Sequence, residues 1–177
     1  QRVDLAGDVQ RQRAHVGAAE RILWQQRRLG MGLVQVLHDR ERLGQDRVAI
    51  LAHPRKRGVA LAVVADGMGG HTGGALAAEQ VVHTAKTNLE QFFSIDENPQ
   101  LMLQNSMREA HTMIKASRFM NEMDPHSTAV MLLLQPGRIT WGHCGDSRLY
   151  HFRGHNLLNR SIDHSYVEYL VKKKKIT

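Results

Sequence analysis

A chain of 177 residues, 42% of them hydrophobic, is long enough to close one sizeable core, so a single domain is the expectation. No run reaches the roughly 18 apolar residues of a membrane span, the first thirty residues hold no apolar stretch of the secretory kind, and the lone cysteine, Cys144, has neither a disulfide partner nor a CxxC neighbour; together these point to a cytoplasmic protein. The net charge of +7 is uneven, with 12 Lys and Arg against 6 Asp and Glu in residues 1–57 but 12 against 11 in residues 58–177, so it does not describe the continuous basic patch of a nucleic-acid binder.

Residues 1 to about 43 are rich in Arg and Gln, carry one aromatic, Trp24, and read as a solvated leader. Within it Leu29, Met31, Leu33, Val34, Val36 and Leu37 suggest one short apolar element, either helix or strand. The texture changes at Gln45, where Asp46 precedes an apolar run ending at Ala52, as at a strand start. His53 to Gly58 then forms a basic turn around Pro54. Val59 to Ala65 carry too few polar side chains for an exposed strand and read as one buried in a packed sheet. A short turn between two such strands predicts a hairpin that brings Asp46 and Asp66 into one sheet.

Asp66 directly follows the buried run and is succeeded by Gly67, Gly69 and Gly70, a carboxylate on a backbone able to approach a ligand closely. Asp oxygens and an exposed carbonyl suit a hard cation such as Mg²⁺ or Mn²⁺. Taken alone, an Asp-Gly pair is more often a plain turn after a strand, and it is the longer glycine-rich string that favours a ligand site. A phosphate cradle does not fit: Thr72 spoils GxGxxG, and Ala75-Leu76 stand where a Walker loop needs Lys and Ser or Thr.

After Gly73-Gly74 the spacing becomes helical, through Ala78, Val82, Ala85, Leu89 and Phe92, and ends near Phe93. Asn98-Pro99 has the order of a helix start, and Met102, Ser106, Ala110, Met113 and Ser117 continue at helical spacing to about Met123. Asp124-Pro125 breaks that pattern. Ser127 to Leu134 reads as a strand, Gln135 to Arg138 as a tight turn, and Ile139 to Cys144 as the returning strand. Gly145 to Arg148 interrupts the alternation, Leu149 to Arg153 resumes it, and Gly154-His155-Asn156 turns the chain before Leu157-Leu158. Asp163-His164-Ser165 reads as a cap for a helix from Tyr166 to Lys173. It is not a catalytic triad, because consecutive side chains cannot align nucleophile, base and orienter. His151 and His155 flank a turn and do not make a zinc pair, and Lys172 to Lys175 read as a solvated end.

Taken in order, Gln45-Asp46-Arg47, Asp66 to His71, Ser127-Thr128, Gly145 to Tyr150 and Asp163-His164-Ser165 resemble the metal-dependent protein phosphatases of the PPM/PP2C family, bacterial branch, over about residues 45–177. The resemblance implies an α+β fold, two antiparallel sheets packed as a sandwich between helices, with residues 44–177 as a partial phosphatase domain behind the leader of residues 1–43. It implies that Asp66 bridges two Mn²⁺ or Mg²⁺ ions as the catalytic ligand, that the Gly67 carbonyl binds one, that Asp46 holds coordinated water, and that Asp146 serves a third, weaker ion. The implied reaction is hydrolysis of phosphoserine and phosphothreonine by a water activated between the two ions, with no side-chain nucleophile. The implied partners are phosphorylated proteins and a cognate Ser/Thr kinase, the chain being a monomer without nucleic acid or membrane. Glu41, between Arg40 and Arg42, stands where the family carries a phosphate-binding arginine, and Met68 replaces the histidine of eukaryotic members. The family's later Asp-Gly and final Asp-Asn do not occur after Asp163, so the chain reads as truncated at its end and altered at its start, with weak metal binding expected. The alternative is a catalytically impaired fragment that binds phosphoproteins or other partners.

Overall fold

The computed structural model describes residues 33–37, 44–92, 97–121 and 124–173. Four strands, β2 (Arg47–Ala52), β3 (Ala60–Ala65), β6 (Ala129–Gln135) and β7 (Arg138–Cys144), form one antiparallel sheet in the order β2-β3-β6-β7. A second antiparallel sheet has the order β1-β8-β9, from β1 (Leu33–Leu37), β8 (Arg148–Arg153) and β9 (Asn156–Arg160). A two-stranded ribbon joins β4 (Gly67–Met68) to β5 (His126–Ser127).

The apolar run of β3 is buried on both faces, which is why it shows no polar alternation. Leu61, Val63 and Ala65 on one face, with Met131 and Leu133 of the neighbouring β6, pack beneath two long helices, α1 (Gly70–Gln91) and α2 (Pro99–Asn121). The helices meet them through Ala78, Val81, Ala85, Leu89, Leu103 and Ala110. On the opposite face Val64, Val130 and Leu132 close on Leu149 of β8, so the two sheets stack as layers of one α+β sandwich.

The hairpin expected between Gln45 and Ala65 forms, with Val48 opposite Val64 and Ile50 opposite Ala62. The turn between β6 and β7 also forms, its Gly137 in the left-handed region that such turns require. His53, in the basic turn, is buried: its Nδ1 accepts the main-chain N–H groups of Arg55 and Lys56 at 3.0 and 2.9 Å, which leaves Nε2 to donate to the Phe92 carbonyl at 2.7 Å. That bond fastens the end of α1 to the β2–β3 turn.

Several expectations change. The apolar element of the leader is a strand, β1, paired antiparallel with β8 from Leu33 opposite Phe152 to Leu37 opposite Arg148. Helix α1 starts at Gly70, so Gly73 and Gly74 lie inside it and do not precede it. The buried stripe of α2 runs through Met102, Leu103, Ser106, Ala110 and Ile114, whereas Met113 is 52% exposed. Asn98 does cap that helix, its Oδ1 accepting the Gln100 N–H at 2.9 Å. The expected strand from Ser127 is divided at Thr128, whose N–H turns to the Asp66 carbonyl at 2.8 Å. The final helix, α3 (Tyr166–Lys172), starts where expected, but Asp163 is committed to Arg148. Glu41, Phe93 and Met123 lie outside the described residues.

Candidate functional site

The site grows from two neighbouring strand ends. Arg47 pairs with Ala65, the last pair of that register, so Asp46 and Asp66 flank it at one end of the four-stranded sheet. In each carboxylate Oδ1 is shielded from solvent. Arg47 Nη1 donates to the Asp46 carbonyl at 3.0 Å, and its Nη2 lies 3.8 Å from Glu79 on α1.

Asp66 is held by its main chain from both sides. Its N–H donates to Thr128 Oγ1 at 3.1 Å, and its carbonyl accepts the Thr128 N–H at 2.8 Å. Gly67 then pairs with Ser127 in the short ribbon and packs against Gly74 in the first turns of α1; an added Cβ would run into the Gly74 carbonyl and lie 2.8 Å from the Gln45 carbonyl. Gly69, at φ 116°, takes a left-handed conformation that side chains resist and delivers the chain into α1. That helix begins with no side-chain cap and no acid in its first turn, leaving its N-terminal dipole open to an anion.

Asp146 arrives separately, exposed on the turn between β7 and β8. Its neighbour Ser147 is buried, and Ser147 Oγ lies 2.7 Å from Thr128 Oγ1. The segment after β9 straps this turn from outside. Ser161 exchanges hydrogen bonds with Leu149, its N–H donating to the Leu149 carbonyl and its Oγ accepting the Leu149 N–H, each at 2.9 Å, and the His164 N–H donates to the Gly145 carbonyl at 2.9 Å. Arg148 grips Asp163 through Nε and Nη2 at 2.8 and 2.7 Å. Those bonds hold the Asp163 carboxyl below the usual carboxylate range, against its desolvation, and raise the Arg148 guanidinium further above its already high value. His143 bonds the Ile162 carbonyl at 2.8 Å and stacks on His164 with centroids 4.5 Å apart.

Asp46, Asp66 and Gly67 therefore lie near one end of the four-stranded sheet, and Asp146 lies on the turn between β7 and β8. Among the described residues no three of the His, Cys, Asp and Glu side chains form a group able to hold a metal. Asp46, Asp66 and the Gly67 carbonyl are nonetheless oxygen donors of the kind Mg²⁺ and Mn²⁺ take, usually completed by water. The parts played by Thr128 and Ser147 escaped the reading of the sequence. Ser127-Thr128 stood out as a motif, but only the fold shows that the threonine hydroxyl reaches the backbone of Asp66.

A family model described as Protein phosphatase 2C matches residues 38–170. Among solved structures, the chain is similar to the Mycobacterium tuberculosis serine/threonine phosphatase PstP/Ppp, with 25% identity and a TM-score of 0.62 over 82% of this chain and 60% of that one. It is similar also to the S. agalactiae serine/threonine phosphatase, with 26% identity and a TM-score of 0.62 over 83% and 60%. The PstP catalytic domain in complex with two manganese ions gives 26% identity and a TM-score of 0.62 over 82% of this chain and 61% of that one. The chain thus spans about three fifths of the length of the structures it matches. A comparison with curated proteins gives no match.

Proposed function

The chain belongs to the protein phosphatase 2C family, and from that premise we propose that it is a metal-dependent phosphatase acting on phosphoserine and phosphothreonine in proteins, of the bacterial type. The observation that carries this reading is that Asp46 and Asp66 flank the last β2–β3 pair at one sheet end, each with an oxygen shielded from solvent, beside the closely packed main chain of Gly67. Asp66 is the catalytic ligand, the Gly67 carbonyl binds one ion, Asp46 holds coordinated water, and Asp146 serves a further, weaker ion. Two Mn²⁺ or Mg²⁺ ions bound there would activate water for attack on the phosphoryl group and offset its charge. The protein's own part is to hold Asp66 rigidly through Thr128 and to offer the uncapped start of α1 to anionic substrate. The partners are phosphorylated proteins and the kinase that modifies them, met by a monomer in the cytoplasm. Among the described residues no helix is long and apolar enough to cross a membrane.

A second reading, a phosphoprotein-binding module without turnover, is favoured by one observation: no third metal-binding side chain joins Asp46 and Asp66 among the described residues. Mn²⁺-dependent hydrolysis of p-nitrophenyl phosphate and of a phosphothreonine peptide separates the two. The phosphatase reading expects turnover that Asp66→Asn lowers on the order of 10²-fold, the scale on which loss of one transition-state-stabilising group is felt. Peptide binding with no turnover would instead establish the second reading.

A further inference from the structure

Of the proposed ligands, Asp66 follows β3 and Asp146 lies on the turn between β7 and β8, and two buried hydroxyls link the main chain of the first to the residue after the second. Thr128 is 3% exposed and Ser147 8%. The Thr128 hydroxyl accepts the Asp66 N–H at 3.1 Å and shares a 2.7 Å hydrogen bond with the Ser147 hydroxyl, one residue from Asp146. The turn is fitted closely to that hydroxyl. Gly145 has φ 102°, and a Cβ there would lie 2.7 Å from the Thr128 methyl, so the turn approaches Thr128 as only glycine allows. A buried hydroxyl with two such partners has one favourable position, and moving either partner breaks a bond that water cannot replace.

We infer that Thr128 is a positioning residue that couples the two carboxylates: through its hydroxyl, the main chain of Asp66 and the turn bearing Asp146 are locked at a fixed separation, and cation affinity at the site depends on that lock. The inference rests on the metal-dependent reading above. Ser147 is the second member of the lock, and it acts on Asp146 alone, whereas Thr128 acts on both acids. Groups that orient metal ligands without touching the metal typically govern 10–100-fold in affinity.

The test is a Mn²⁺ titration of the whole chain followed by the electron paramagnetic resonance signal of the free ion, with urea unfolding run on every variant. Thr128→Val, which keeps the shape and removes the hydroxyl, is expected to weaken Mn²⁺ binding at least tenfold. Thr128→Ser, which restores the hydroxyl and lacks only the methyl, is expected to recover it to within about threefold. Ser147→Ala is expected to weaken binding in the wild-type background and to change nothing once Asp146→Asn is present, the pattern of a shared pathway. Should Thr128→Val fail to fold, this Ser147 and Asp146 cycle decides the matter. Equal Mn²⁺ affinity in wild type and folded Thr128→Val, or additive losses in the cycle, would overturn the inference while leaving the phosphatase reading in place. A wild-type chain that neither binds Mn²⁺ nor hydrolyses phosphate esters would overturn both.

Discussion

An added methyl group at Gly67 has nowhere to go, because the Gly74 carbonyl and the Gln45 carbonyl already crowd the position a Cβ would take. Gly67→Ala is therefore expected to force the start of α1 away from the end of β3, at a cost of about 1–3 kcal/mol in urea unfolding, the range found for overpacked interiors. The same close approach explains why the glycine follows an aspartate here. The acid supplies the ligand chemistry, and the missing side chain lets helix and strand meet behind it. Asp66 and Gly67 were legible as candidates because an apolar run, an acid and a glycine are adjacent in the chain, whereas Asp46 became one through the family resemblance. Thr128 was not legible as the residue that holds Asp66, being 62 positions away from it.

At the scale of single elements, α2 separates what periodicity reveals from what packing chooses. Spacing alone offered Met102, Ser106, Ala110, Met113 and Ser117, a line drifting slowly around the helix; the sheet beneath selects Leu103 and Ile114 and leaves Met113 in solvent. Leu103→Ala, which empties a site 2% exposed, is expected to lose about 2–5 kcal/mol of stability. Met113→Ala is expected to stay within about 0.5 kcal/mol, the same urea experiment checking both. The strap after β9 gives a pH-dependent counterpart. Because the bonds from Arg148 depress the folded-state pKa of Asp163, the stability this carboxylate adds is complete above its unfolded value, about 3.9, and is lost as pH falls from there through the lower folded value. Urea midpoints of wild type and Asp163→Asn are accordingly expected to differ near neutral pH and to converge in acid. The gap is no more than about 1 kcal/mol, since Arg148 is 45% exposed and its pairing is screened.

At the scale of the molecule, burial among the described side chains is lopsided. Of the described buried apolar side chains most lie on the helix-covered face of the four-stranded sheet, while the face toward the second sheet closes through Val64, Val130, Leu132 and Leu149. Val48 and Ile50, on that same face of β2, remain 59% and 42% exposed. Amide hydrogen exchange is expected to follow this division, slowest in β3, β6, α1 and α2 and markedly faster in β8 and β9; uniform protection across both sheets would contradict it. Leu149→Ala is expected to accelerate exchange in β8 and β9 well before it affects β3. The sequence by itself determined strands β2, β3, β7 and β8, the two long helices, the turn at Gln135 to Arg138 and the acid at the end of β3, because these follow from side-chain period, proline and glycine placement and local capping, all short-range properties. Only the tertiary structure decided that α1 begins at Gly70, that β1 joins the second sheet, that His53 is buried, that Asp163 serves Arg148 and that Thr128 joins Asp66 to Ser147. Each of those depends on a partner brought close by the fold, and no local period carries information about a neighbour 19 or 62 residues away.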